Sequence, residues 1–92
     1  MESMKRKIEF ILRHYSPEAQ TVKAIEELAE LQAELAKMLN KQSSHRALVG
    51  EVADVYIMIV QLMTIFDIDP EELDIEIDHK LNRQIRRIEE GK

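Results

Sequence analysis

Residues 50–66, Gly-Glu-Val-Ala-Asp-Val-Tyr-Ile-Met-Ile-Val-Gln-Leu-Met-Thr-Ile-Phe, decide the fold of this chain. At about 100° per residue, Val52, Val55, Ile59, Leu62 and Phe66 fall on one side of a helix, and Ala53, Tyr56, Ile57, Val60 and Met63 occupy the rest. A helix that is apolar nearly all round has to be buried nearly all round. A domain of 92 residues has a poor surface-to-volume ratio and cannot cover such a helix alone. The second face therefore points to another subunit, and a homo-oligomer with this helix at its centre is expected.

Working outward, punctuation and period place three more helices. Before the central one, Ile25, Leu28, Ala29, Leu35, Ala36 and Leu39 recur at helical spacing and predict an inward stripe. Ser16-Pro17 reads as its N-cap and first residue, because proline at that position gives up an N–H that would have no partner anyway. The polar connector 40–44 is short, which favours an antiparallel hairpin, and Ser43 or Ser44 can cap the central helix. Upstream, Met4, Ile8, Ile11 and Leu12 predict a first amphipathic helix ending near His14. Downstream, Asp69-Pro70-Glu71-Glu72 reads as a capping box. It opens a last helix with Leu73, Ile77, Leu81, Ile85 and Ile88 inward and Gly91 as terminator. The expected architecture is all-α. One domain spans residues 1–92, an antiparallel helical hairpin with flanking helices, whose four-helix-bundle-like core is completed by homo-oligomerisation.

Composition agrees. Only 2 Gly, 2 Pro and 4% aromatic residues stand against 45% hydrophobic and 34% charged, which disfavours a sandwich, a barrel or a disordered tail. Thirteen Lys and Arg against 18 Asp and Glu give a net charge of −5, so a nucleic-acid polymer is a poor partner. The lack of Cys removes disulfides, thiolate nucleophiles and Cys-rich zinc sites, and makes the cytoplasm the default location. No signal peptide is expected at the N-terminus. The longest apolar run, Val55–Val60, is six residues, short of the roughly 20 that cross a bilayer, so no membrane partner is expected either.

Against this apolar background, Glu51 and Asp54 lie three residues apart and therefore on one face of the central helix. An ionised carboxylate in such a place must stay wet, pair with a cation or bind a metal. Glu27 and Glu30 repeat the spacing on the preceding helix, with Glu26 and Glu34 close by. In an antiparallel hairpin the two pairs converge. Four converging carboxylates repel one another, and a hard divalent cation is the natural remedy, Mg²⁺ or Mn²⁺ for an all-oxygen set. Mg²⁺ held this way keeps several waters and commonly completes its shell with substrate phosphates, so a polyphosphate is the expected ligand class. Neither Glu27 nor Glu51 is followed by His at the third position, which argues against a di-iron bundle.

Glu26-Glu27-Leu28-Ala29-Glu30 and Glu51-Val52-Ala53-Asp54, with Gln20 and Lys23 ahead and the basic Lys80, Arg83 and Arg87 behind, resemble the EExxE…ExxD signature of the MazG-like all-α nucleoside triphosphate pyrophosphohydrolases. The resemblance runs from about Gln20 to Arg87. It implies a Mg²⁺-dependent enzyme that converts a (d)NTP to the monophosphate and pyrophosphate, as a homo-dimer or homo-tetramer whose sites draw on neighbouring subunits. On that resemblance Glu27, Glu30, Glu51 and Asp54 hold the metal. Glu26 or Glu34 orients or deprotonates the attacking water, and Lys23, Lys80, Arg83 and Arg87 bind the phosphates. The chain departs from the pattern in having no Trp, which leaves any base stacking to Tyr15, Phe10 or Tyr56. The rival expectation is a non-catalytic helical oligomer, a nucleotide sensor or protein-interaction module. His14, His45 and His79 lack metal spacing and read as surface residues.

Overall fold

A computed structural model describes residues 2–91. Four helices follow one another: α1 (Glu2–His14), α2 (Pro17–Leu39), α3 (His45–Ile65) and α4 (Pro70–Glu89), with no strand among the described residues. The starts are fixed by side-chain caps. Ser16 accepts from Ala19 N–H at 3.0 Å, Ser44 from Ala47 N–H at 3.1 Å, and Asp69 from Glu71 N–H at 2.9 Å. The last bond falls one residue earlier than a capping box requires.

The ends of α2 and α3 share one device. After α2, Lys41 takes φ 58°, its N–H donates to Met38 C=O at 3.1 Å, and Gln42 N–H donates to Lys37 C=O at 2.8 Å. After α3, Asp67 takes φ 56°, and Ile68 N–H reaches back to Met63 C=O at 2.8 Å. These are Schellman closures, which satisfy the last carbonyls through a left-handed residue. Gly91, with φ 77°, begins the same closure after α4. Lysine at a left-handed position carries a Cβ clash that glycine avoids, partly offset by the greater entropy glycine loses on folding. Lys41→Gly is therefore expected to stabilise the fold by about 0.5–1 kcal/mol, read as a higher urea midpoint with an unchanged slope.

α2 and α3 form the antiparallel hairpin, and its register is written in three cross-helix meetings. Gln20 meets Gln61 at one end, Glu27 meets Asp54 midway, and the Ser43 hydroxyl, just before α3, donates to the Glu34 carboxylate at the other. α1 packs on α3 and brings Ile8 into the core. The buried apolar set among the described residues is small, Ile8, Ala24, Val55 and Met58, and it is interleaved with buried Gln20, Glu27 and Gln61.

The inward stripes differ from those expected of the sequence. On α2 the seam facing α3 runs through Gln20, Ala24 and Glu27, while Ile25 is 63% exposed and Leu28, Leu35 and Leu39 also face outward. On α3, Val55, Met58 and Gln61 are buried, and Val52, Ile59 and Phe66 are exposed. α4 buries none of its residues, and Ile77, Leu81, Ile85 and Ile88 are all exposed. The physical reason is that each helix has more apolar arc than one neighbour can cover. The radius of gyration is 16.2 Å, against about 12 Å for a compact domain of this length. The accessible surface is 7625 Å², against roughly 5,500 Å² for a compact monomer of this mass.

By length and composition α3 is also long and apolar enough to cross a membrane, with a mean hydropathy of 1.7. Its longest unbroken apolar run is only six residues because Glu51, Asp54 and Gln61 interrupt an otherwise apolar helix.

Candidate metal centre

Halfway along the hairpin, Glu27 from α2 and Glu51 and Asp54 from α3 bring carboxylate oxygens within 4.8 Å of one another. The first two differ in burial from the third. Glu27 is 6% exposed, Glu51 is half-buried, and Asp54 opens to solvent. One oxygen of Glu27 and one of Glu51, Oε2 in each case, are buried without any hydrogen-bond partner. Buried polar atoms nearly always find a partner, and two orphaned carboxylate oxygens at one point are costly. Among the described residues only Lys23 offers relief, its Nζ lying 3.3 Å from Glu27 Oε1. The hydrogen bond and charge of Glu27 push the Lys23 ammonium above its ordinary value.

The electrostatics record crowding. Loss of hydration, then the charges of Glu30, Asp54, Glu27 and Glu34, push the Glu51 carboxyl up from its ordinary 4.5. Asp54 rises from 3.8 through loss of hydration first, then the charge of Glu27 and a hydrogen bond to it, with Lys23 opposing. The sign of the pH dependence follows. A carboxyl whose folded value is raised contributes stability that is fully present below its unfolded value and is lost as pH rises through the folded one. The metal-free protein is therefore expected to gain stability from these two groups as pH falls from neutral toward 4.5 and 3.8. Urea midpoints of Glu51→Gln in chelator should show a flatter profile over that interval.

The remaining expected site residues divide. Glu30 is exposed and outside the trio of close oxygens, yet its charge is the largest acting on Glu51. Glu26 is exposed beside Lys23, where both border a groove with Tyr15 and Ala19. Glu34 is held by the Ser43 hydroxyl, which ties the end of α2 to the connector. Lys23 is at the site. Lys80 pairs with Glu76 on its own helix at 3.6 Å, and neither it nor Arg83 nor Arg87 lines the cleft beside the trio. All three lie on the exposed α4.

That cleft has a volume of about 190 Å³. Lys23, Glu27 and Asp54 border it on one side, Ile11, Ile57 and Met58 supply apolar wall, and Gln20 and Gln61 complete it. The two glutamines are 8% and 2% exposed, and Gln20 Nε2 donates to Gln61 Oε1 at 2.7 Å. Nothing in the pattern of the chain singles out Gln61, a lone amide in an apolar helix. Its register would have found it. Gln61 lies seven residues after Asp54 as Gln20 lies seven before Glu27, so an antiparallel pair that joins the acids also joins the amides.

No family model matches the chain, and no curated protein or solved structure matches it.

Proposed function

We propose that the chain is a Mg²⁺-dependent nucleoside triphosphate pyrophosphohydrolase, working as a homo-oligomer, that converts a (d)NTP to the (d)NMP and pyrophosphate. The observation that carries this reading is the pair of orphaned, buried oxygens on Glu27 and Glu51 beside Asp54. An all-carboxylate donor set on two rigid helices fits a hard cation, Mg²⁺ or Mn²⁺, better than zinc or copper. The resemblance of the two acidic motifs to the MazG-like enzymes points the same way.

Glu27, Glu51 and Asp54 would hold the ion, with exposed Glu30 available to join once the mutual repulsion is neutralised. When bound, Mg²⁺ supplies charge neutralisation on the phosphoryl oxygens and a more acidic water. Lys23, freed from Glu27 by a competing cation, reaches phosphate from the same rim. Of the two acids considered for the water, Glu26 is open while the Ser43 hydroxyl occupies Glu34, which favours Glu26. The exposed apolar faces of α3 and α4 form the contacts between copies, and the surface in excess of a compact monomer is of the size that obligate interfaces bury. Such packing brings Lys80, Arg83 and Arg87 of a second copy toward the acidic face.

One observation favours the rival reading of a sensor: within a single chain the α4 cations do not line the cleft. Pyrophosphate release separates the two. A panel of dNTPs with Mg²⁺ should give monophosphate and pyrophosphate in equal amounts, and chelator should stop the reaction. Tight binding of Mg²⁺-dNTP without release would leave a sensor, and no binding at all would end both.

A further inference from the structure

The Gln20–Gln61 pair is poorly explained as packing. Two buried amides beside a small apolar core make one bond to each other, and neither residue has another side-chain hydrogen bond among the described residues. Gln20 Oε1 and Gln61 Nε2 thus remain an acceptor and a donor on two residues that border the cleft. Two leucines would fill the same seam without leaving either.

We propose that this pair recognises a planar heterocycle presenting a hydrogen-bond donor beside an acceptor, the edge of a pyrimidine nucleobase. The inference rests on the reading of Glu27, Glu51 and Asp54 as the polyphosphate end of the same site. The pair lies two helical turns from Glu27 on α2 and from Asp54 on α3, about 10 Å along the axis, a span that a sugar and its first phosphate bridge. The cleft, about 190 Å³, is smaller than the roughly 300 Å³ at which pockets begin to enclose whole ligands, so it takes one ring of a nucleotide. Ile11, Ile57 and Met58 give that ring apolar contact.

The chemistry of the pair sets its selectivity. If both amides turn over, Gln61 donates to Gln20 and the outward acceptor and donor exchange places, with the bond between them kept. Cytosine offers a donor beside an acceptor, and uracil offers the same two in the opposite order. Both are matched, each by one orientation of the pair.

Calorimetry with the non-hydrolysable α,β-imido analogues of dCTP, dUTP and dATP and with inorganic tripolyphosphate, each with Mg²⁺, tests this. The wild type should bind dCTP and dUTP within about threefold of each other and dATP more weakly, since the cleft holds one ring. Gln61→Met and Gln20→Met should each weaken both pyrimidine nucleotides by about 10- to 100-fold and leave tripolyphosphate within about twofold. Nucleotide affinity that survives these substitutions, or falls equally with tripolyphosphate, marks the pair as structural and overturns the proposal. Should tripolyphosphate fail to bind the wild type, the polyphosphate reading fails by itself. The pair is then judged on the wild-type protein, by ¹⁵N side-chain amide signals during titration with deoxycytidine. Movement of the Gln20 and Gln61 signals supports the proposal, and unmoved signals overturn it; the same titration decides if either variant does not fold.

Discussion

Asp54→Asn is expected to lower turnover of a (d)NTP by about a thousandfold, equivalent to about 4 kcal/mol of transition-state stabilisation, while the helical fold persists. Asp54 is the most exposed of the three clustered carboxylates and lines the cleft, so on the proposed reading it is the group that would meet a substrate. The amide keeps the shape and removes the charge. Glu27→Gln should cost as much in turnover, but it also deprives Lys23 of its partner at 3.3 Å, so its stability readout is mixed. Asp54→Asn is the cleaner variant.

A second measurement on the same protein separates metal binding from catalysis. A cation that binds only the folded state stabilises it by about 2.7 kcal/mol at a hundred times its dissociation constant. The wild type should show that increment in Tm on addition of Mg²⁺ or Mn²⁺, and Asp54→Asn should lose most of it. Without metal, Asp54→Asn should melt above the wild type, because the wild-type carboxyl is held up from its ordinary range by lost hydration and by Glu27. Equal melting with and without metal for both proteins would sink the metal centre, whatever the assay of turnover gives.

The sequence and the structure agree where the physics is local. Ser16, Ser44 and Asp69 cap helices as their chemistry dictates, and the five-residue connector gives the hairpin. Glu27, Glu51 and Asp54 converge because the i, i+3 spacing of the last two and the antiparallel register bring them together, whereas Glu30, at the same spacing from Glu27, stays exposed. What the pattern misplaces is direction. The Ile25–Leu39 stripe of α2 and the Ile77–Ile88 stripe of α4 are real amphipathic faces, but an apolar period states only that a face needs covering, not what covers it. A polar seam residue is equally invisible to that criterion. Gln20 and Glu27 occupy the inner face of α2 while Leu28, Leu35 and Leu39 point out. The α4 cations illustrate the same limit: their order along the chain is legible, and on the proposed reading their distance from the acids depends on packing between copies.

That packing yields the second large effect. The wild type is expected to run as two or more chains by light scattering at micromolar concentration. Leu81→Asp with Ile85→Asp should weaken the assembly by at least about a thousandfold, since each leucine or isoleucine removed from an interface forfeits roughly 1.5–3 kcal/mol and each aspartate must be desolvated. A membrane would be the other cover for α3, yet it would draw Glu51 and Asp54 toward hydrocarbon at about 2.5–3.5 kcal/mol for a central aspartate. A homogeneous assembly in detergent-free buffer decides between them. Function then supplies a sharper test. If each site joins the acids of one copy to the α4 cations of another, inactive Asp54→Asn and Arg83→Ala chains, unfolded together and refolded as dimers, should regain about a quarter of wild-type activity. Half the dimers are then mixed, and in each of these one site has both defects and the other has none. If Arg83 served the site of its own chain, or no site, mixing would restore nothing beyond the average of the two parents.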